Sequence, residues 1–152
     1  MKKNKITFIF NHAAYFVSHR LKLVETLIKK GWSVQILIGK AGSRIMEEEA
    51  YRILKKKKIN LIKNNFDTSG YGVNNLFGFF QIFVRLFIFK PDVVHLVSPK
   101  AIFIGGIISR LLKVPLTVIA ITGVGTIFLS KDSFSKKTIK YIYIKVLKFI
   151  LN

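Results

Sequence analysis

Apolar positions along the chain come in two alternating forms. The first is a short continuous run: KITFIF (5–10), SVQILIG (33–39), INLIKNN (59–65), DVVHLV (92–97) and PLTVIAI (115–121). Runs of this length, with apolar residues on both faces, mark strands buried within a parallel sheet. The second is a longer stretch with helical spacing. SHRLKLVETLIKKG (18–31) sets Leu21, Val24, Leu27 and Ile28 on one side, with Ser18 as the expected N-cap and Gly31 as the expected C-cap. SRIMEEEAYRILKKKK (43–58) is a charged helix. LFGFFQIFVRLFIF (76–89) is a helix too apolar to have a fully solvated face, closed by Lys90-Pro91. PKAIFIGGIISRLLK (99–113) and TIKYIYIKVLKFILN (138–152) complete the set. Strands alternating with helices throughout predict an α/β fold, a Rossmann-like doubly wound parallel sheet with right-handed crossovers and helices on both faces, as a single domain over residues 1–152.

Composition narrows the chemistry. No cysteine is present, so disulfides, zinc–thiolate clusters and thiol nucleophiles are excluded. His12, His19 and His95 show none of the close spacings that metal motifs need, and no metal is expected. The 26 Lys+Arg against 7 Asp+Glu give a net charge of +19, a field that attracts nucleic acid or anionic lipid. Only five of those cations are arginine, the residue that reads phosphates and base edges through its fork, so the expected partner is an anionic membrane surface and not nucleic acid. A proteome-wide drift toward Lys, Asn, Ile and Phe also yields lysines, but it leaves the scarcity of acids without a cause. The 14-residue run at 76–89 is too short to span a bilayer, and the stretch 101–129 is interrupted by Arg110, Lys113 and Pro115. MKKNKITFIF has a basic start without a signal-peptide cleavage site. The expected location is cytoplasmic and peripheral, at the inner face of the cell membrane. On the last helix, Ile142, Val146 and Phe149 lie on one side with Lys140, Lys145 and Lys148 elsewhere, a pattern that fits either a helix lying in a headgroup layer or a core-packed helix with a solvated edge.

Ligands of open parallel sheets bind beyond the carboxyl ends of the strands, where strand order reverses. This selects three loops: Asn11 to His19, Ser98 to Lys100, and Thr122 to Thr126. The first has no glycine in NHAAYFVSH, which excludes a dinucleotide fingerprint, and no P-loop is present. The pair Gly123 and Gly125 is a weak phosphate signal and equally the mark of a tight turn. His19 and Arg20 are expected to open the first helix, where backbone N–H groups favour a phosphate or a sugar hydroxyl. His12 lies in the same loop, a candidate to act on an acceptor hydroxyl, with no visible partner. Lys100 follows Pro99, which fixes the turn and holds the lysine at the cleft. His95, inside an apolar strand, is expected to be buried and hydrogen-bonded.

FVSHRLKLVETLIKKGWSV, KPDVVHLVSPKA and GGIISRLLKVPLTVIAITGVGTIF together resemble the N-terminal domain of GT-B glycosyltransferases of family 4, in the branch that adds sugars to lipid-linked or polysaccharide acceptors. The resemblance covers almost all of the chain, in order and spacing. It implies an acceptor-binding half with Asn11, His12, His19, Arg20, Lys100, Thr122, Gly123 and Gly125 at the acceptor site, and it assigns no catalytic residue. It also implies that the nucleotide-sugar donor belongs to a C-terminal domain absent here, so that this domain binds no cofactor of its own, the isolated chain is inactive, and a separate C-terminal transferase polypeptide is the partner if the enzyme is split. The resemblance favours retention of anomeric configuration. A non-catalytic membrane-recruiting subunit and an inactive truncated fragment are the competing readings. Two departures stand out. Many relatives carry a histidine after the fifth strand, where this chain has Thr122-Gly123. Relatives also place a basic residue before a Gly-x-Asn loop, where this chain has Asp67-Thr68 ahead of Gly72 and Asn74.

Overall fold

The computed structural model describes residues 3–40, 44–59, 61–67, 73–121 and 134–151, with side chains at 40, 44, 46, 66, 67, 73–75 and 134–140 not described. Strands β1 (Lys5–Phe10), β2 (Ser33–Lys40), β3 (Ile62–Asp67), β4 (Val93–Val97) and β5 (Leu116–Ala120) alternate with helices α1 (Ala13–Lys29), α2 (Arg44–Lys56), α3 (Val73–Phe89), α4 (Pro99–Leu111) and α5 (Phe134–Leu151). All strand pairs are parallel, in the order β3-β2-β1-β4-β5. The chain therefore winds outward in both directions from β1 and β4, and the order reverses between them.

Side-chain alternation divides the core into two layers. Ile6, Phe8 and Phe10 of β1 join Ala13, Phe16 and Val24 of α1 and Ala50 and Leu54 of α2 on one face. Ile9 points the other way, toward Ile82 and Leu86 of α3, Ile102 and Ile108 of α4, and Ile150 of α5. On that second face α4 rides close to the sheet at Gly105, where an added Cβ would lie 2.5 Å from Leu96 and 2.9 Å from Ile9. A small residue there lets the middle of α4 pack directly against β1 and β4.

Two sequence expectations change. α1 begins at Ala13, five residues before Ser18, because His12 in extended conformation caps it and accepts the Tyr15 N–H on Nδ1 at 3.2 Å. Ser18 is interior, and its hydroxyl donates to the carbonyls of Ala14 and Tyr15 one turn back. The expected apolar side of α5 is also divided. Tyr143, Val146, Leu147 and Ile150 turn to the core, while Ile142 and Phe149 face solvent with Tyr141 and Ile144. The spacing i, i+3, i+4, i+7 of the buried set is that of a helix packed on a sheet, not of one lying flat in a headgroup layer. Gly31 holds its expected place. At φ +83° it closes α1, with Trp32 N–H bonding Leu27 carbonyl and Gly31 N–H bonding Ile28 carbonyl.

Candidate functional site

β1 and β4 end side by side at the reversal of strand order. Their register pairs Phe8 with His95 and Ile9 with Leu96, and continuing it by two residues sets Asn11 across from Ser98. Both side chains end in a fully buried oxygen, Asn11 Oδ1 and Ser98 Oγ, with no hydrogen-bond partner among the described residues. A buried polar atom without a partner costs about 1–3 kcal/mol, which marks this edge as built for something other than stability alone.

The two helices that start here differ. At α1 side chains take two of the first N–H groups: Ala14 N–H donates to Glu47 Oε1 at 3.0 Å and Tyr15 N–H to His12 Nδ1, while the next, Phe16 N–H, begins the helical ladder on the His12 carbonyl as Ile102 N–H does on the Ser98 carbonyl at α4. At α4, Ser98 is the N-cap residue with φ +84° and ψ 151°, and its side chain makes no capping bond. Pro99 follows at the first helical position, where its missing N–H costs nothing. A residue with a Cβ at such a φ carries on the order of 1–3 kcal/mol of strain, and such strain gathers at functional sites. Lys100 stands in the first turn of α4, half-buried. The positive end of α4, a strained serine and a lysine thus meet Asn11 at the sheet's reversal point, an arrangement suited to a phosphate or a sugar hydroxyl.

His12 has a defined role at this edge. Because Nδ1 accepts a backbone N–H, the neutral ring carries its proton on Nε2 and serves as a donor. A general base is not what this tautomer provides.

His19 and Arg20 do not open the helix, as their sequence position suggested; they lie in the second turn of α1. His19 is exposed, stacked on Tyr15 with ring centroids 4.2 Å apart and planes 5° off parallel. Arg20 donates to the His19 carbonyl at 3.0 Å, and its charge reaches His95. His95 is half-buried against Phe8, at 5.1 Å between centroids, and its Nε2 has no hydrogen-bond partner among the described residues, where a hydrogen-bonded ring was expected. Burial first, and then Arg20, lower its pKa to about 4, so it is neutral at pH 7. Asn11, His12 and Lys100 are therefore brought to one edge, with Arg20 behind them. Thr122, Gly123 and Gly125 lie outside the described residues, as do Thr68 and Gly72. Glu47 and Ser98 were not among the expected site residues. Glu47 reaches α1 from 33 positions away, which no local pattern reveals, whereas the Ser-Pro corner itself was the available signal for Ser98.

A cavity of about 630 Å³ lies elsewhere, at the amino end of β5 among Lys113, Pro115, Leu116 and Leu151. It is remote from the strand ends where ligands of parallel sheets bind. Among the described residues no three His, Asp or Glu side chains converge as metal ligands, and no helix is long and apolar enough to cross a membrane.

The family described as glycosyl transferase 4-like matches residues 5–152. The chain belongs to that family. No curated protein matches it. Among solved structures, this glycosyl transferase 4-like chain is similar to MurG of Acinetobacter baumannii, with 19% identity, TM-score 0.57, and coverage of 76% of this chain and 33% of that one. It is similar to a UDP-N-acetylglucosamine 2-epimerase, with 14% identity, TM-score 0.60, and coverage of 93% and 40%. A third neighbour is the UDP-GlcNAc 2-epimerase of Neisseria meningitidis bound to UDP-GlcNAc, with 14% identity, TM-score 0.55, and coverage of 97% and 43%. At these identities the likeness is one of fold: a Rossmann-like sheet of the kind found in GT-B domains. The glycosyl transferase 4-like chain spans between 33% and 43% of the length of these three proteins.

Proposed function

We propose that the chain is the acceptor-binding domain of a glycosyltransferase that moves a sugar from a nucleotide-sugar to a lipid-linked saccharide in cell-surface glycan synthesis, and that the donor is held by a further domain or polypeptide. The observation that carries this reading, beside family membership, is the β4–α4 corner. Asn11, Ser98 and Lys100 gather where a parallel sheet takes its ligand, and the positive helix end suits the diphosphate of a lipid-linked acceptor. The protein would supply positioning across a closed cleft, which alone accounts for a large share of such rate enhancements. His12, protonated on Nε2, would hold an acceptor oxygen and not deprotonate it, which suits retention.

The lipid half of the proposal has its own support. Leu76, Phe77, Phe80, Phe87 and Ile88 of α3 are each more than half exposed and occupy one outward side of the helix. Lys63 and Arg85 border this side in a groove of about 370 Å³. An apolar helix side rimmed by cations, on a chain of net charge +19, fits the headgroup layer of an anionic membrane. Of the two helices with apolar residues facing outward, α3 and α5, α3 presents the more continuous apolar side.

The test is titration of the 152-residue chain with a short-chain isoprenoid diphosphate saccharide. Asn11→Ala and Lys100→Ala should each weaken binding on the order of tenfold with the fold intact, and unchanged affinity in both removes the site. A membrane-recruiting role without acceptor binding is the second reading, favoured by the α3 side. It predicts that the same two variants support wild-type transfer once a C-terminal transferase half is supplied.

A further inference from the structure

Two helices direct their positive ends at one place. α1 has no acid in its own first turn, while α2 carries Glu47 in its first turn. The Glu47 carboxylate is the acceptor for Ala14 N–H at 3.0 Å and lies 3.8 Å from His12 Nδ1, with its side chain 12% exposed. Tyr51, one turn further along α2, hydrogen bonds to it, and burial together with the Glu47 charge raises the Tyr51 pKa. One of only seven acids in this basic chain is thus set where the N-termini of α1 and α2 converge, held from both sides.

We propose that Glu47 is a specificity-determining residue, a built-in carboxylate that closes the β1–α1 corner to phosphate and leaves the charged group of a substrate to the β4–α4 corner. The second half of this statement rests on the acceptor reading above; the closing of the β1–α1 corner does not. The first strand–helix turn is where phosphate binds in many parallel α/β sheets, because backbone N–H groups there point outward at the positive helix end. A phosphate needs several such donors at once. Here Ala14 N–H is held by the Glu47 carboxylate and Tyr15 N–H by the His12 ring. An incoming dianion would have to displace the carboxylate and would meet its like charge on approach. At α4 no acid stands in the first turn, and the Ser98 side chain makes no capping bond, so no carboxylate of the helix itself has to be displaced there. A role in folding alone would be met by a local N-cap side chain, and His12 already provides one.

The experiment follows backbone amide shifts of the ¹⁵N-labelled chain during titration with inorganic phosphate, at ionic strength held constant with sodium chloride. In the wild type, the Ala14 and Tyr15 amides should stay unmoved. In Glu47→Ala they should shift saturably, with an apparent affinity on the order of tenfold above wild type. Glu47→Gln is isosteric and neutral, and it provides the same measurement should the alanine variant not fold; a smaller gain at the same two amides is expected. Shifts of Ala14 and Tyr15 in the wild type equal to those in the variants, or no gain in a folded glutamine variant, would overturn the proposal. The Lys100 and Ala101 amides report separately. If they respond in no form of the protein, the acceptor-phosphate reading of the β4–α4 corner fails, while the role of Glu47 is still decided at α1.

Discussion

The β1–α1 and β4–α4 corners are built from the same parts: a buried strand, a short turn, of two residues at the first and of Ser98 alone at the second, and a helix whose positive end faces the reversal of the sheet. One is complete and the other is not. At α1 a histidine cap and a glutamate from the next helix satisfy the first N–H groups, whereas at α4 a serine held at φ +84° leaves its hydroxyl buried without a partner among the described residues. A fold that needed only stability would finish both corners alike. The contrast separates a corner that holds the fold from one kept open for a ligand, and it makes opposite predictions for equivalent substitutions.

The largest effect should come from removing the shared carboxylate. Glu47→Ala leaves the Ala14 N–H without its acceptor beneath α2 and removes the Tyr51 hydrogen bond, a loss of about 2–3 kcal/mol in urea unfolding. A loss under ~0.5 kcal/mol would mean that α1 does not depend on Glu47, and the two corners would no longer differ in kind.

Between the corners, His95 should give the chain an acid limit. Its folded pKa of about 4 lies below the ordinary 6.5, so the unfolded chain takes up this proton first as pH falls. The contribution is fully present above pH 6.5 and is lost progressively down to about pH 4. Discounted for the solvent that still reaches the ring, it amounts to about 1–2 kcal/mol. His95→Phe should flatten the stability profile across that window. If wild type and variant decline in parallel between pH 6.5 and 4, His95 is not the group responsible.

How much of this contrast the sequence carried depends on the range of the interactions. Five strands and their order along the chain were legible, because strand-length apolar runs and helical spacing are local properties. Alternation and the ligand rule for open parallel sheets named three strand-end loops, among them those of Asn11, His12 and Lys100, but the strand order that sets two of these loops side by side is a long-range property and came only with the structure. The start of α1 was misplaced because Ser18 is a good cap residue in isolation, and what overrides it is a histidine cap supported by a glutamate 33 residues away. The choice between the two readings of α5 was open for a similar reason. Both sides of TIKYIYIKVLKFILN are apolar enough to pack, and only the approach of α4, with Gly106 against Ile150, decides which side does.

Opposite signs are the sharper test at the caps themselves. His12→Ala should cost about 1 kcal/mol, because it removes the acceptor for Tyr15 N–H. Ser98→Gly should gain about 1 kcal/mol, since glycine adopts φ +84° freely and the lost hydroxyl had no partner to lose. The gain should appear together with weaker binding of the acceptor analogue. Destabilisation by Ser98→Gly would show that the serine is an ordinary structural cap and that the β4–α4 corner is as complete as its neighbour.

The smallest effect lies at the far ends of the same two helices, where the relation is chemical and not functional. α1 and α4 finish in the same motif: Trp32 N–H bonds Leu27 carbonyl after α1, and Val114 N–H bonds Ser109 carbonyl after α4. The residue in left-handed conformation is Gly31 in the first case and Lys113, at φ +51°, in the second. Lysine there places its charge near the negative helix end, worth a few tenths of a kcal/mol, but its Cβ crowds the backbone at a cost of about 1 kcal/mol. Lys113→Gly should therefore raise stability by about 0.5 kcal/mol, near the limit of what paired thermal melts resolve. A clear loss would mean that the Lys113 side chain makes contacts in the cavity beside β5 that outweigh its strain, and the two helix ends would then differ as the two corners do.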